Sequence, residues 1–307
     1  MGRLGEAIQF YQKSLTINPD YAVAHHDLGN ALSSNGQLND GLRSIKRSIE
    51  INPNYAEAYY SLGGILKTKK KREKALIFFE KAFEIKPDIK YLFGYLLNAK
   101  MYVCVWDSLY IHFDDLITSN NLDKELIEPF ILLGLVDDPV LQGKTAELHT
   151  NGFHPKNSEL PITGIYPKHP KIRIGYFSAD FNQHPVALLT AELYEVHDRD
   201  CFEIHAFSFG EDSNDEMNLR IKAGVDHFHN VESMSHKDTV LLARSLEIDI
   251  AVDLSGITAE ARTGIFAMSV APIQLSYIGY LGTMGADYYD YLIADPIMIP
   301  KESQKHY

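Results

Sequence analysis

Asn18-Pro19, Asn52-Pro53 and Lys86-Pro87 recur at intervals of 34 residues (53 − 19 and 87 − 53), and this period constrains the first hundred residues more than any other feature. Laid on it, Gly2, Gly36 and Lys70 coincide, as do Ala7, Gly41 and Ala75. Tyr11 falls with Ile45 and Phe79, Ser14 with Ser48 and Ala82, Leu28-Gly29 with Leu62-Gly63, and Leu32 with Leu66. Small residues at fixed places let two helices approach closely, and the large ones fill the groove between them. Each proline ends a helix, because it has no amide proton and clashes with the preceding turn. The period predicts a solenoid of stacked helical hairpins.

Helix–turn–helix units of this length and pattern resemble the tetratricopeptide repeat, which places such repeats over residues 1–100. Gly2 to Pro19 matches only the second helix of a unit, so the chain is expected to begin in mid-repeat, as a fragment or a truncated copy. After Pro87 the pattern decays into a helical connector over residues 101–150, with apolar spacing at Leu109, Phe113, Leu116 and at Leu126, Phe130, Leu133. Asn151-Gly152 then opens a stretch carrying Pro155, Pro161, Pro167 and Pro170, which excludes both helix and central strand and predicts a linker over 151–170.

At 307 residues the chain is long enough for two compact domains. Its 45% apolar and 23% charged residues are those of an ordinary globular protein. A net charge of −12 argues against nucleic acid as a partner, since phosphate contacts need a surplus of Lys and Arg. The basic run Lys67 to Lys74 reads as a solvated turn and helix face. Cys104 and Cys201 stand in unrelated contexts with no CxxC spacing, so neither a disulfide nor a zinc role is expected of them. No apolar run is long enough to span a bilayer, and the amino terminus lacks a signal-peptide core; a cytoplasmic protein without a membrane partner is expected.

From Lys171 the pattern changes. Ile172 to Phe177, Phe202 to Phe209, Ile248 to Leu254, Ile273 to Ile278 and Tyr291 to Ala294 read as strands, with His227-Phe228-His229 as a short one. Val186 to Val196, Asp215 to Val225, Lys237 to Leu246 and Arg262 to Met268 read as helices. This alternation predicts a Rossmann-like, doubly wound α/β lobe over residues 171–307, with right-handed crossovers. Ligands of such sheets sit beyond the carboxyl ends of the strands. The loops to inspect are Ser178–His184, Ser255–Arg262 and Gly279–Gly285.

The first loop offers Asp180, Asn182 and His184. A histidine opening a helix there can face a ligand and transfer a proton near neutral pH, or it can merely cap the helix or bond Asp180. The second offers Ser255, Gly256, Thr258 and Arg262; the alternative is a plain strand-to-helix turn in which Thr258 caps a helix beginning near Glu260. The third carries Gly279, Tyr280, Gly282, Thr283 and Gly285. Its glycine spacing fits neither a P-loop nor GxGxxG, and implies instead a backbone brought close to a ligand or another domain.

Together, Ile172 to Phe181 with His184, Ala261-Arg262-Thr263-Gly264-Ile265-Phe266-Ala267, Ala271-Pro272-Ile273-Gln274, and Gly279-Tyr280-x-Gly282-Thr283-Met284-Gly285-Ala286-Asp287-Tyr288 resemble the catalytic region of bacterial protein O-GlcNAc transferases. Preceding tetratricopeptide repeats are that family's own arrangement. The resemblance implies a GT-B fold, of which this lobe is the acceptor-side half, and transfer of N-acetylglucosamine from UDP-GlcNAc to Ser or Thr of a protein. Transfer would invert the anomeric centre, with neither metal nor other cofactor. His184 matches the family's disputed base, beside Asp180. Asn182, Ser255, Gly256, Thr258, Arg262, Gln274, Tyr280, Gly282, Thr283 and Gly285 are expected to line the acceptor side of the cleft, while the repeats hold a protein or peptide acceptor. Ser255, Ile257 and Leu281 depart from the family's usual residues and bear on which substrate fits.

The family's second lobe, which binds UDP, is not found in this sequence, and the chain alone is expected to be inactive. Two other readings stand beside the transferase: a non-catalytic module that docks a partner peptide, and a relative using another sugar, as O-fucosyl- and N-glucosyltransferases do.

Overall fold

A computed structural model describes residues 2–106 and 127–307. Leu109, Phe113, Leu116 and Leu126 of the expected connector lie outside the described residues. The chain divides into two compact units, Met1–Ile131 and Leu132–Tyr307.

The first unit holds helices α1 (Gly2–Ile17), α2 (Ala22–Ser34), α3 (Leu38–Ile51), α4 (Ala56–Thr68), α5 (Arg72–Ile85) and α6 (Leu92–Tyr102). The 34-residue period is a repeated joint. A Cβ built on Gly29 of α2 would lie 2.4 Å from Ile45 Cγ1 of α3, and one built on Gly63 of α4 would lie 2.6 Å from Phe79 of α5. Both partners are buried in one apolar core with Leu62, Leu66, Leu92 and Leu96 or next to it. Ser48 Oγ donates to the Ala22 carbonyl at 2.7 Å, across the same α2–α3 seam. The basic run is solvated at Lys70, Lys71, Arg72 and Lys74, but Lys67 is half-buried with its ammonium 4.1 Å from the Tyr95 ring centroid. Burial lowers its pKa.

The division between the units falls within a short helix, α7 (Pro129–Leu133), and the second unit continues with α8 (Pro139–Phe153). Asp138 caps α8 by accepting from the amides of Val140 and Leu141. The four-proline stretch that follows has no helix or strand but lies along the lobe: the Asn157 amide donates to Ala267 O at 2.8 Å, and Thr163 Oγ1 to Ser269 O at 3.0 Å.

Six strands follow, β1 (Ile172–Ser178), β2 (Phe202–Ser208), β3 (His227–Asn230), β4 (Ile250–Asp253), β5 (Ile273–Tyr277) and β6 (Tyr291–Ile293). They form one parallel sheet of order β3-β2-β1-β4-β5-β6. The order reverses between β1 and β4, which sends the crossover helices to opposite faces, as the doubly wound expectation required. Helices α9 (Pro185–Val196) and α10 (Glu216–Gly224) cover one face through Ala187, Tyr194 and Ile221 against Ile174, Ile204 and Val252. Helices α11 (His236–Ser245) and α12 (Gly264–Ala267) cover the other through Val240, Ala243 and Phe266 against Phe177, Phe207 and Ala251. Alternate residues of β1, β2 and β4 feed the two cores, which is why their buried carboxyl-terminal halves are largely apolar. No helix among the described residues is long and apolar enough to cross a membrane.

Candidate active site at the carboxyl ends of the strands

Because every strand runs parallel, the loops after β1, β4 and β5 emerge at one rim, on either side of the point where the strand order reverses.

The first loop is held from below. Asn218 of α10 donates to Phe181 O at 2.7 Å, and Asp215, the cap of that helix, uses its second oxygen to accept from the Gln183 amide at 2.9 Å. Sequence reading missed both residues; the signal for Asp215 is its place before a helix, but nothing local shows that it also grips another loop. Asn182 stays near its own loop, with Nδ2 3.5 Å from Ala179 O. His184 is the cap of α9: its Nδ1 accepts from the Val186 amide at 3.3 Å, while Asp180 Oδ2 lies 3.6 Å from the same nitrogen. Capping and pairing with Asp180 thus compete for one atom. While Nδ1 accepts, the neutral ring carries its proton on Nε2, the nitrogen not engaged by the helix. Asp180 is half-buried, and burial raises its pKa; the Glu260 charge raises it further, while His184 opposes both.

Glu260 belongs to the second loop, so the two loops meet electrostatically. That loop is organised by Asp253 at the end of β4. Its Oδ1 accepts from the Ser255 and Gly256 amides at 2.9 and 3.0 Å, and its Oδ2 from Tyr289 OH at 2.5 Å. Complete burial raises the Asp253 pKa against these three donors, and pushes the Tyr289 phenol well up as well. Gly256 sits at φ +62, where a side chain would also strike Tyr280. Thr258 caps nothing: its hydroxyl turns back to Ser255 O at 2.9 Å, and the next helix starts only at Gly264. The Ser255 hydroxyl is buried and has no hydrogen-bond partner among the described residues.

Two residues expected in the cleft are engaged by the lobe itself. Arg262 donates to the carbonyls of Val231 and Met234, at 3.0 and 2.7 Å, and its guanidinium lies over the Phe209 ring. Its fork ties the second loop to the chain following β3. Gln274 is buried in β5, where Nε2 donates to Phe266 O and Tyr288 O and Oε1 accepts from the Val270 amide. Every polar atom of that side chain is satisfied inside the lobe.

The glycines of the third loop answer to backbone crowding. A Cβ on Gly279 would lie 1.8 Å from Leu254 O, and one on Gly285 would lie 2.3 Å from the Glu147 amide nitrogen of α8. Tyr280 is buried and packs over Gly256, and a side chain on Gly282 would meet its hydroxyl. Thr283 accepts from the Gly285 amide at 3.3 Å. Beside this loop opens a cavity of about 500 Å³ that includes Ser276, Thr283, Gly285, Tyr289 and Asp290. The Ser276 hydroxyl there is buried and has no partner among the described residues. This cavity takes in none of Asp180, Asn182, His184, Ser255 or Thr258.

The doubly wound lobe preceded by helical repeats has the architecture of one half of a GT-B fold with appended repeats, and it carries a histidine–carboxylate pair at its rim. Residues 145–307 match glycosyl transferase family 41, and residues 1–36 and 56–89 match tetratricopeptide repeat families. The chain belongs to glycosyl transferase family 41. It is 30% identical over 220 residues to a probable UDP-N-acetylglucosamine–peptide N-acetylglucosaminyltransferase, SEC, of Arabidopsis thaliana, covering 67% of this chain and 22% of that protein. It is 32% identical over 161 residues to a UDP-N-acetylglucosamine–peptide N-acetylglucosaminyltransferase of Caenorhabditis elegans, covering 52% of this chain and 13% of that one. The chain therefore spans less than a quarter of these relatives' lengths. A mutant O-GlcNAc transferase of Thermobaculum terrenum shares the fold along the whole chain, with a TM-score of 0.58 and 24% identity, over 54% of its own length.

Proposed function

We propose that the intact protein transfers N-acetylglucosamine from UDP-GlcNAc to Ser or Thr of a protein acceptor, with this chain supplying the repeats and the acceptor side of the site. The observation that carries the reading is the Asp180–His184 pair at the rim of the switch point, in a chain whose family relatives are named for this reaction. The acceptor hydroxyl oxygen bonds to the anomeric carbon, the bond from that carbon to the UDP oxygen breaks with its electron pair, and the hydroxyl proton goes to a base. No metal is required of this lobe for that step, and a cytoplasmic location suits a nucleotide-sugar donor. The repeats hold the polypeptide acceptor.

His184 can take the proton at Nε2 only when Nδ1 bears the ring's own proton. Nδ1 must then release the Val186 amide and donate to Asp180, 3.6 Å away. Asp180 is on this reading the group that turns a helix cap into a base.

The test is mass-spectrometric detection of the sugar on a Ser/Thr peptide after incubation of the intact protein with UDP-GlcNAc. Transfer is expected, reduced by about 10²–10⁴-fold in His184→Ala, the usual worth of a general base. Unchanged transfer by that variant removes the base role. Transfer from a different nucleotide sugar, but not from UDP-GlcNAc, replaces the donor.

A further inference from the structure

Toward the end of the sheet opposite the rim, β2 and β3 bring together Glu203, His205, His227 and His229. His205 is the strand neighbour of His227, and Phe207 that of His229, so these side chains share one face of the sheet edge. Glu203 Oε1 lies 3.2 Å from His205 Nε2 and 3.1 Å from His227 Nε2. We propose that Glu203, His205 and His227 form a binding site for a divalent transition-metal ion of the zinc class, which clips the edge strand β3 to β2.

The spacing is that of ligands around one ion. With bonds of about 2.0–2.1 Å, two ligand atoms of a tetrahedral zinc stand about 3.3 Å apart. One oxygen or nitrogen from each of the three residues lies within 4.8 Å of the others, and the half-exposed His227 ring has room to close on an ion. Two imidazoles and one carboxylate are a borderline-soft donor set suited to zinc or cobalt rather than magnesium, which asks for oxygen.

The surroundings orient these donors. Arg173 donates through Nε to Glu203 Oε2 at 3.3 Å, which leaves Oε1 for the imidazoles. The Arg173 charge is shared with Glu247, 3.2 Å away, which limits its repulsion of a cation. His205 Nδ1 lies 3.1 Å from His229 Nε2. With Nε2 on the metal, His205 carries its proton on Nδ1 and donates it to His229, the orienting bond that metal-bound histidines usually make. A cavity of about 510 Å³ lined by Lys171, Arg173, Glu203 and His227 leaves a fourth position open to water. The alternative is that Glu203 merely accepts hydrogen bonds from two imidazoles.

The experiment titrates cobalt(II), then zinc(II), into the chain purified without a polyhistidine tag and stripped with chelator. Expected are one cobalt ion per chain, the intense visible ligand-field bands of low coordination number, displacement by zinc, and no competition from magnesium. His227→Ala, on an exposed edge position and checked for fold by circular dichroism, is expected to weaken binding at least tenfold. His227→Cys restores it with sulfur bands, and His229→Phe weakens it about 10–100-fold through the orienting bond. Parent binding no tighter than that of His227→Ala, or cobalt spectra of the six-coordinate aquo ion throughout, overturns the proposal.

Discussion

Asp253 shows how one side chain can set a loop. Its carboxyl group is wholly enclosed, yet three donors converge on it, two from the turn that follows and one from Tyr289. Removing it leaves those donors buried and unpaired, at about 1–3 kcal/mol each, so Asp253→Ala is expected to destabilise the lobe by several kcal/mol in urea unfolding. Asp253→Asn keeps the acceptor for both amides and is expected to be far milder. The sign of the pH effect follows from the raised pKa. The unfolded state loses this proton first as pH rises, so stability falls as pH climbs from the ordinary carboxyl range through the folded pKa. Comparing parent and Asp253→Asn along an acid-to-neutral series of urea melts should show this limb in the parent and its loss in the variant.

Legibility differed sharply among the candidate residues. His184 and Asp180 were readable because they lie four residues apart in one loop, so their meeting follows from the local chain. Arg262 and Gln274 were misread because their partners, Val231 and Met234 in one case, Phe266 and Tyr288 in the other, are set by the tertiary fold. A long polar side chain near a rim looks the same in sequence whether it faces solvent or grips a carbonyl. For Thr258 it is the alternative reading, a helix cap, that the structure does not bear out, because the helix begins six residues later, at Gly264.

Among elements, the repeat joints offer a clean comparison. Gly63 and Gly64 are adjacent in α4, yet only Gly63 faces a neighbour: a methyl there collides with the Phe79 ring, whereas one on Gly64 meets nothing within 4 Å. Gly63→Ala is expected to cost about 1–3 kcal/mol through overpacking. Gly64→Ala should stabilise the helix by about 0.5–1 kcal/mol, since alanine loses less backbone entropy than glycine. Thermal melts of the two variants should move in opposite directions; a common direction would mean the joint is looser than its geometry. This seam was legible because it occurs twice, and the strands because they form apolar runs. The path of the four-proline stretch was not legible, since nothing local specifies the carbonyls of Ala267 and Ser269 that hold it.

For the whole molecule, among the described residues, the repeat core is drawn from residues between Leu38 and Val103, and the two sheet cores from residues between Leu160 and Tyr289. A unit that holds a core of its own can fold separately. A fragment of residues 132–307 is expected to unfold cooperatively in urea with the tyrosine environment of the parent. A fragment that binds a hydrophobic dye and melts without a sigmoid would show that the lobe depends on the repeats.

A sheet whose strands all point one way has a working end and a quiet end. Under the proposed function, the ends where the strands begin stand opposite the Asp180–His184 pair, so an attachment there need not touch the chemistry. If a metal clip arose at the start of β2 and β3, its gain or loss among relatives should track growth temperature or metal supply, and leave the choice of sugar untouched.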